Sequence, residues 1–340
     1  RRVLFRYNSL KGDFNMRKVL LATTALVAMG GVSAASADVT ITGGYELKYI
    51  SWSDTTASTT ANNSSVTDTT SVYINFSETL DNGMSMTMYT GQDGSATAGF
   101  DDLGATISGD FGTIGIGGSE SGDAFATATD VTADEGNTAT ADAAATPYDG
   151  SQDNITPGDE FLPAATVSYL SPDISGFQFS VGMTDTGAYS DTTLMGAQYV
   201  MAAGGGSVTL KYAASNTGKT TSTGTNDVDA TSLGLVIAAG NATLTIAQNT
   251  VGQGTTTDYS SNSAAVTYKL SDSLTIQGYT GTTEDDKDTT YDFQDTGLGF
   301  TYTVAPGLTA SVTHNSWDRK ASGETAQDGD QTALAFNLSF

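Results

Sequence analysis

The stretch Val39-Thr-Ile41-Thr-Gly43-Gly-Tyr45-Glu-Leu47-Lys-Tyr49 alternates between apolar and polar residues along its whole length. A β-strand sends successive side chains to opposite faces, so a period of two describes a strand with one apolar and one polar face. The pattern returns in Val208-Thr-Leu210-Lys-Tyr212, in Leu298-Gly-Phe300-Thr-Tyr302-Thr-Val304 and in Leu334-Ala-Phe336-Asn-Leu338-Ser-Phe340. After residue 38 no window sustains the 3.6-residue period of an amphipathic helix. The chain is expected to be all-β.

Working outward, sixteen strands are predicted, near 39–50, 70–80, 84–92, 103–109, 113–119, 163–170, 176–186, 192–202, 206–214, 230–238, 242–249, 260–270, 274–283, 291–304, 307–316 and 330–340. Their connections alternate. Tight turns such as Asp81-Asn82-Gly83, Ala203-Gly204-Gly205 and Ala239-Gly240-Asn241 take turns with long Thr/Ser/Asp-rich segments at 51–69, 93–102, 120–162 and 215–229. One rim is therefore compact and the other elaborated, as in an up-and-down antiparallel barrel that crosses a membrane. Two stacked sheets would instead need connections crossing between sheets.

The apolar phase of each strand, as in Phe177, Phe179, Val181 and Met183 or Leu233, Leu235 and Ile237, is assigned to the outside. That face is expected to carry no Asp, Glu, Lys or Arg. The other phase is rich in Ser, Thr, Asn, Gln and Gly, with Glu46, Lys48, Lys211 and Lys269 as its charged members. Lys211 falls midway along its strand, Lys48 toward the outer end and Lys269 toward the periplasmic end. Aromatics gather near strand ends: Tyr45, Tyr49, Trp52, Tyr89, Phe100, Tyr268, Tyr279, Tyr291, Phe293, Trp317 and Phe340. Amphipathic rings favour the headgroup level, so these are expected to form two interfacial girdles.

Composition narrows the function. The chain has 340 residues, 13 Lys+Arg against 38 Asp+Glu, one His, no Cys and a formal net charge of −25. Such a balance repels phosphate backbones and excludes ordinary nucleic-acid binding. Without Cys, and with His314 alone, thiolate chemistry is absent and a Ser-His-Asp triad would hang on one residue. His314 itself falls in the outward phase near the outer rim. No enzyme is expected.

From Met16 the sequence reads MRKVLLATTALVAMGGVSAASA, a basic n-region, a short apolar h-region and small residues Ala35 and Ala37 before the cleavage point. Residues 16–37 are read as a secretory signal peptide and 1–15 as upstream translation, which leaves 38–340 as the mature domain. The leader holds six of the 13 bases and one of the acids, so the mature chain is more acidic still.

The mature chain resembles the general diffusion porins of Gram-negative outer membranes. The resemblance rests on sixteen strands with alternating loops, on a last strand ending in an aromatic, and on the oversized third outer loop at 120–162. It implies a water-filled channel for passive diffusion of small hydrophilic solutes, embedded in outer-membrane lipid. It also implies a homotrimer, with the third loop folded into the lumen. Leu334, Phe336, Leu338 and Phe340 look like the sorting signal read by the barrel-assembly machinery.

The loop carries ten acids and no base. Asp130, Asp134, Glu135 and Asp142 are the expected constriction residues, with Lys211 as the opposing wall charge and cations as the preferred ions. The same composition also suits a solvated acidic flap outside the pore. Family members typically place an arginine cluster on the facing wall. Here the mature chain has one Arg, Arg319, in a predicted outer loop, so the transverse field should be weak and the net field negative.

Two further readings stay open at the sequence level. A secreted or surface-anchored acidic β-rich adhesin or surface-layer protein would share the Thr/Ser/Asp/Gly richness. No cofactor is required, although carboxylate sets such as Glu284-Asp285-Asp286 with Asp288 could bind Ca²⁺, which takes six to eight oxygen ligands.

Overall fold

In the computed structural model the described residues are 38–56, 59–92, 102–117, 166–184, 192–218, 228–253, 257–285, 292–320 and 327–340. They form sixteen strands. In chain order these are β1 (Asp38–Thr56), β2 (Thr59–Thr79), β3 (Ser85–Gln92), β4 (Asp102–Gly109), β5 (Gly112–Gly117), β6 (Val167–Leu170), β7 (Phe177–Thr184) and β8 (Thr192–Ala203). There follow β9 (Gly206–Thr217), β10 (Val228–Ala239), β11 (Ala242–Gln253), β12 (Thr257–Lys269), β13 (Leu274–Asp285), β14 (Asp292–Ala305), β15 (Leu308–Lys320) and β16 (Gln327–Ser339).

Every strand pairs antiparallel with its neighbours in sequence, and β1 pairs with β16, from Gly44↔Ser339 to Asp54↔Gly329. The sheet is a closed barrel, so it leaves no edge with unpaired backbone groups. The periplasmic turns are tight because their residues permit it. Gly204 and Gly205 both take positive φ, 55° and 93°, the conformation a two-residue hairpin of the type I′ kind demands.

The predicted strand ends on the compact rim agree with the structure to within a residue or two, whereas the outer ends of several strands, β1, β2 and β15 among them, run past the prediction. β1 and β2 continue pairing to Thr56↔Thr59, so 51–69 is an extended hairpin for most of its length rather than a loop. β15 likewise runs to Lys320 and takes in Arg319, whose backbone pairs with Phe293 and Gln327. Above the membrane both faces of a strand are wet, and hydrophobic alternation fades while backbone pairing goes on.

Register fixes the two faces, because residues directly opposite each other share a side. Leu298, Phe300 and Tyr302 on β14 pair with His314, Val312 and Ala310 on β15, which pair with Thr332, Leu334 and Phe336 on β16. All the large apolar members of this set are exposed. Burial along β14 and β16 alternates residue by residue, exposed outward and buried inward. No thick apolar core exists among the described residues. Half of their buried apolar residues form two small clusters, Ile50 with Ala333 and Tyr259 with Phe293 and Trp317, both on the inward phase, and the rest, Leu194 and four alanines, are scattered.

Two expectations about the outer surface are corrected by this register. The outward phase does carry charge: Asp68, Asp229, Asp258, Glu284, Asp318 and Asp330 all fall on it, opposite Leu47, Asn216, Gly252, Ser260, Gln294 and Ser316. They sit toward the outer ends of strands that reach past the apolar band. The second correction concerns the girdles. Tyr45, Tyr49, Tyr268 and Phe340 are exposed on the outer surface, but Trp52, Tyr89, Tyr279, Phe293 and Trp317 have the parity of the lumen face. Phe100 and Tyr291 lie outside the described residues. The exterior aromatics that remain, with Phe177, Tyr199 and Tyr302, favour the periplasmic half.

Candidate functional site

The candidate site is the inner wall of the barrel. Its sequence signature is the polar phase of each strand: Ser, Thr, Asn and Gln, which can hydrogen-bond water and solutes, interspersed with Gly. Four inward aromatics lie across a glycine of the adjacent strand. The position a Cβ would take on Gly91 is 2.0 Å from the Tyr73 ring, on Gly104 2.5 Å from Tyr89, on Gly297 2.0 Å from Tyr279 and on Gly329 2.5 Å from Trp317. Each pair is a direct register partner. Only Gly leaves room for a ring to lie flat on the sheet, an arrangement that covers the bare backbone. The rings therefore line the channel without projecting across it.

Glu46 and Lys48 both face inward on β1, and Lys48 Nζ lies 3.1 Å from Glu46 Oε1 with both side chains largely buried. The pair cancels its own charge locally. Lys211 faces inward midway along β9, opposite Gln198 on β8 and Gly234 on β10. Lys269 is the last residue of β12, exposed at the periplasmic rim, where its backbone exchanges hydrogen bonds of 2.9 Å with Asn241. Asp130, Asp134, Glu135 and Asp142 lie outside the described residues, as do residues 1–37.

Two buried carboxylates that the sequence does not assign to the lumen also face inward. Asp295 is buried and accepts hydrogen bonds from the Tyr279 hydroxyl (2.6 Å to Oδ2) and the Asn315 amide (3.5 Å to Oδ1). Asp285 is buried beside Tyr259, and its Oδ1 accepts the Asp258 backbone N–H at 3.2 Å. Parity was the available signal. With Leu298 and Phe300 outward, Asp295 has to face in. Glu284 and Asp285, one of the carboxylate sets considered for Ca²⁺, point to opposite sides of the wall. Among the described residues no group of three or more His, Asp or Glu is arranged to hold a metal ion.

At the outer surface His314 Nδ1 lies 2.9 Å from the Thr332 hydroxyl and Nε2 4.0 Å from Asp330, both groups exposed. These groups lie on the exposed exterior of the wall, not in a pocket. The imidazole belongs to a polar exterior collar that includes Ser316 Oγ donating to Asp330 (2.5 Å) and Asn216 donating to Asp229 (2.5 Å).

A closed sixteen-stranded barrel, apolar outside and polar within, is a membrane-spanning channel. The chain belongs to the Gram-negative porin family, whose pattern matches residues 22–339. None of the curated proteins matches it. Among solved structures it is similar to the anion-selective porin from Comamonas acidovorans, at 15% identity over 89% of this chain and 100% of that one, with a TM-score of 0.60. It is also similar to the outer membrane channel DcaP of Acinetobacter baumannii, at 14% identity over 89% and 97% of the two chains and a TM-score of 0.61. The trimer form of OmpT from Vibrio cholerae aligns at 12% identity over 89% and 99%, with a TM-score of 0.58. The protein is an outer-membrane diffusion channel of a Gram-negative bacterium, and not an enzyme.

Proposed function

We propose that this porin prefers cations and that residues 120–162 set the preference from inside the lumen. The observation that carries the reading is the charge balance of the inner wall. By register its inward-phase charges are Asp38, Glu46, Asp54, Asp102, Asp285 and Asp295 against Lys48, Lys211, Lys269 and Arg319. The wall's small acidic excess has the same sign as the ten acids of the third loop, which outweigh it. Carboxylates lining an aqueous path inside a low-dielectric wall favour cation passage.

The fold alone does not fix the sign, since a similar barrel is anion-selective. Asp130, Asp134, Glu135 and Asp142 are assigned to the constriction and Lys211 to the opposing wall. Homotrimeric assembly, as in the trimer form of the Vibrio protein, and recognition of Leu334, Phe336, Leu338 and Phe340 by the assembly machinery complete the reading.

The test is the reversal potential of the mature protein in planar bilayers under a KCl gradient. Screening shortens the reach of a charge to about 8 Å at physiological salt, so dilute salt gives the clearest reading. Changing the four loop acids to Asn or Gln should lower the cation preference, and Lys211→Met should raise it. An unchanged reversal potential in the fourfold variant would mean that the loop is an external flap. Truncation of Phe340 should cut the yield of heat-modifiable, membrane-inserted barrel, and a normal yield would remove the sorting role.

A further inference from the structure

We propose that the outer wall between β7 and β12 holds a single acyl chain of an outer-leaflet lipid in a defined trench. Exterior side chains there fall on two adjacent rungs. One runs Tyr199, Leu210, Leu235, Ile246, each the register partner of the next. The other runs Ala197, Tyr212, Leu233, Gln248, Asn262. Together they line a recess of about 600 Å³, in the range of small-ligand sites. The recess exists because Ala197 stands between two large neighbours, Tyr199 along the strand and Tyr212 across it. The rungs rise as walls of leucine, isoleucine and tyrosine on either side.

Length and chemistry select the occupant. From Phe177 on β7 to Asn262 on β12 the recess crosses six strands, roughly 24 Å at about 4.8 Å per strand. One leaflet's share of a ~30 Å hydrocarbon core is roughly 15 Å, so a chain can lie in the trench along its length. The trench is continuous with the lipid-facing band and lined mainly by apolar atoms. At its outer end Gln248 Nε2 donates to Asn262 Oδ1 at 3.2 Å. Each primary amide has donor and acceptor capacity beyond that one bond, which suits the ester or amide linkage joining an acyl chain to its headgroup. A polar pair at the top of an apolar slot gives the ligand a direction, headgroup toward the outer rim and chain toward Phe177.

The experiment uses the whole mature barrel in phosphatidylethanolamine/phosphatidylglycerol vesicles that contain a trace of chain-terminal spin-labelled phosphatidylglycerol. Electron paramagnetic resonance then counts chains that exchange slowly with the bilayer. Wild type should hold about one such chain per barrel. Ala197→Phe, which fills the trench, should reduce that occupancy at least five-fold, and Gln248→Leu should speed exchange without abolishing it. Val312→Phe, exterior on β15 and outside the trench, should hold the same chain as wild type. Should Ala197→Phe insert poorly, Leu235→Ala removes the opposite edge and is read in the same way. The proposal is overturned if wild type holds no slowly exchanging chain, or if the trench variants hold as many as wild type. It is equally overturned if Leu233→Cys cross-links to another barrel, which would make the trench a contact between copies.

Discussion

The periplasmic and outer halves of this barrel are built from the same strands, yet they reverse the use of their two faces. In the lower half the exterior is Leu, Ile, Val, Phe and Tyr, and the interior is Ser, Thr, Gln and Gly. In the upper half the exterior turns into a collar of cross-strand polar pairs: Thr231 with Thr250 (2.6 Å), Thr280 with Thr296 (3.1 Å), and Ser316 with Asp330. There the interior takes up Tyr259, Phe293, Trp317 and Trp52. The backbone ladder does not register the change, since β1 and β2 pair without interruption from Asp38↔Ser77 to Thr56↔Thr59. What differs is the solvent on the outside. Alternation of the simple kind reports lipid on one face, not the presence of a strand.

The largest expected effect tests that boundary directly. Val312 is exterior and exposed in the apolar band, opposite Phe300 and Leu334. Val312→Lys should destabilise the folded barrel by roughly 2–4 kcal/mol, the range for a lysine near the midplane. Ser316 lies four residues up the same strand, on the same face, in the polar collar. Ser316→Lys should cost at most about 1 kcal/mol, as for sites near the interface. Urea unfolding from vesicles compares the two, and similar costs would mean that the band extends above Ser316.

Much of the fold was legible in the sequence, and the misses have separate physical causes. Strand number, antiparallel order and the compact rim followed from period-two runs and from turn residues such as Gly204-Gly205. The outer ends of β1, β2 and β15 were not legible, because the sequence of Thr59–Val66 and Trp317–Lys320 has no apolar alternation to read. The girdle residues differ from expectation because face follows parity along the strand, not nearness to its end. Phe293 and Trp317 look interfacial by position near a strand end, but counting from Phe300 and Val312 puts both inside. The same count would have found Asp295. For the candidate site, Lys211 and the Glu46–Lys48 pair were readable by phase, whereas the ion pair's geometry was not. Which member of a neutralised pair faces solute depends on side-chain rotamers, and sequence spacing leaves those open.

A middle-sized effect probes the inward aromatics of the upper half. A Cβ on Gly297 would sit 2.0 Å from Tyr279 Cε1, so Gly297→Ala has to lift the ring off the wall and break its hydrogen bond to Asp295. Overpacking of this kind costs about 1–3 kcal/mol, and a lifted ring also narrows the path. Both the unfolding midpoint and the single-channel conductance should fall. Adding Tyr279→Ala to the same chain should restore most of the conductance, because the two sites touch and their effects cannot be additive. If conductance stays low in the double variant, Gly297 matters for backbone shape rather than as the seat of the ring.

The smallest effect belongs to the exterior collar. His314 is the only histidine of the chain and therefore invites a functional role, yet its side chain is 55% exposed, its Nε2 is 4.0 Å from an Asp330 that is 59% exposed, and Nδ1 meets a threonine hydroxyl. An exposed ion pair of that length is worth about 0–1 kcal/mol even with the imidazole charged, and salt screens it further. Gln keeps a hydrogen-bonding group within reach of Thr332 while removing the titratable ring. His314→Gln should therefore leave the urea midpoint within about 0.5 kcal/mol of wild type, and should leave conductance and reversal potential unchanged. A shift in reversal potential on this substitution would mean that the outer collar, and not only the lumen, acts on the ions that pass.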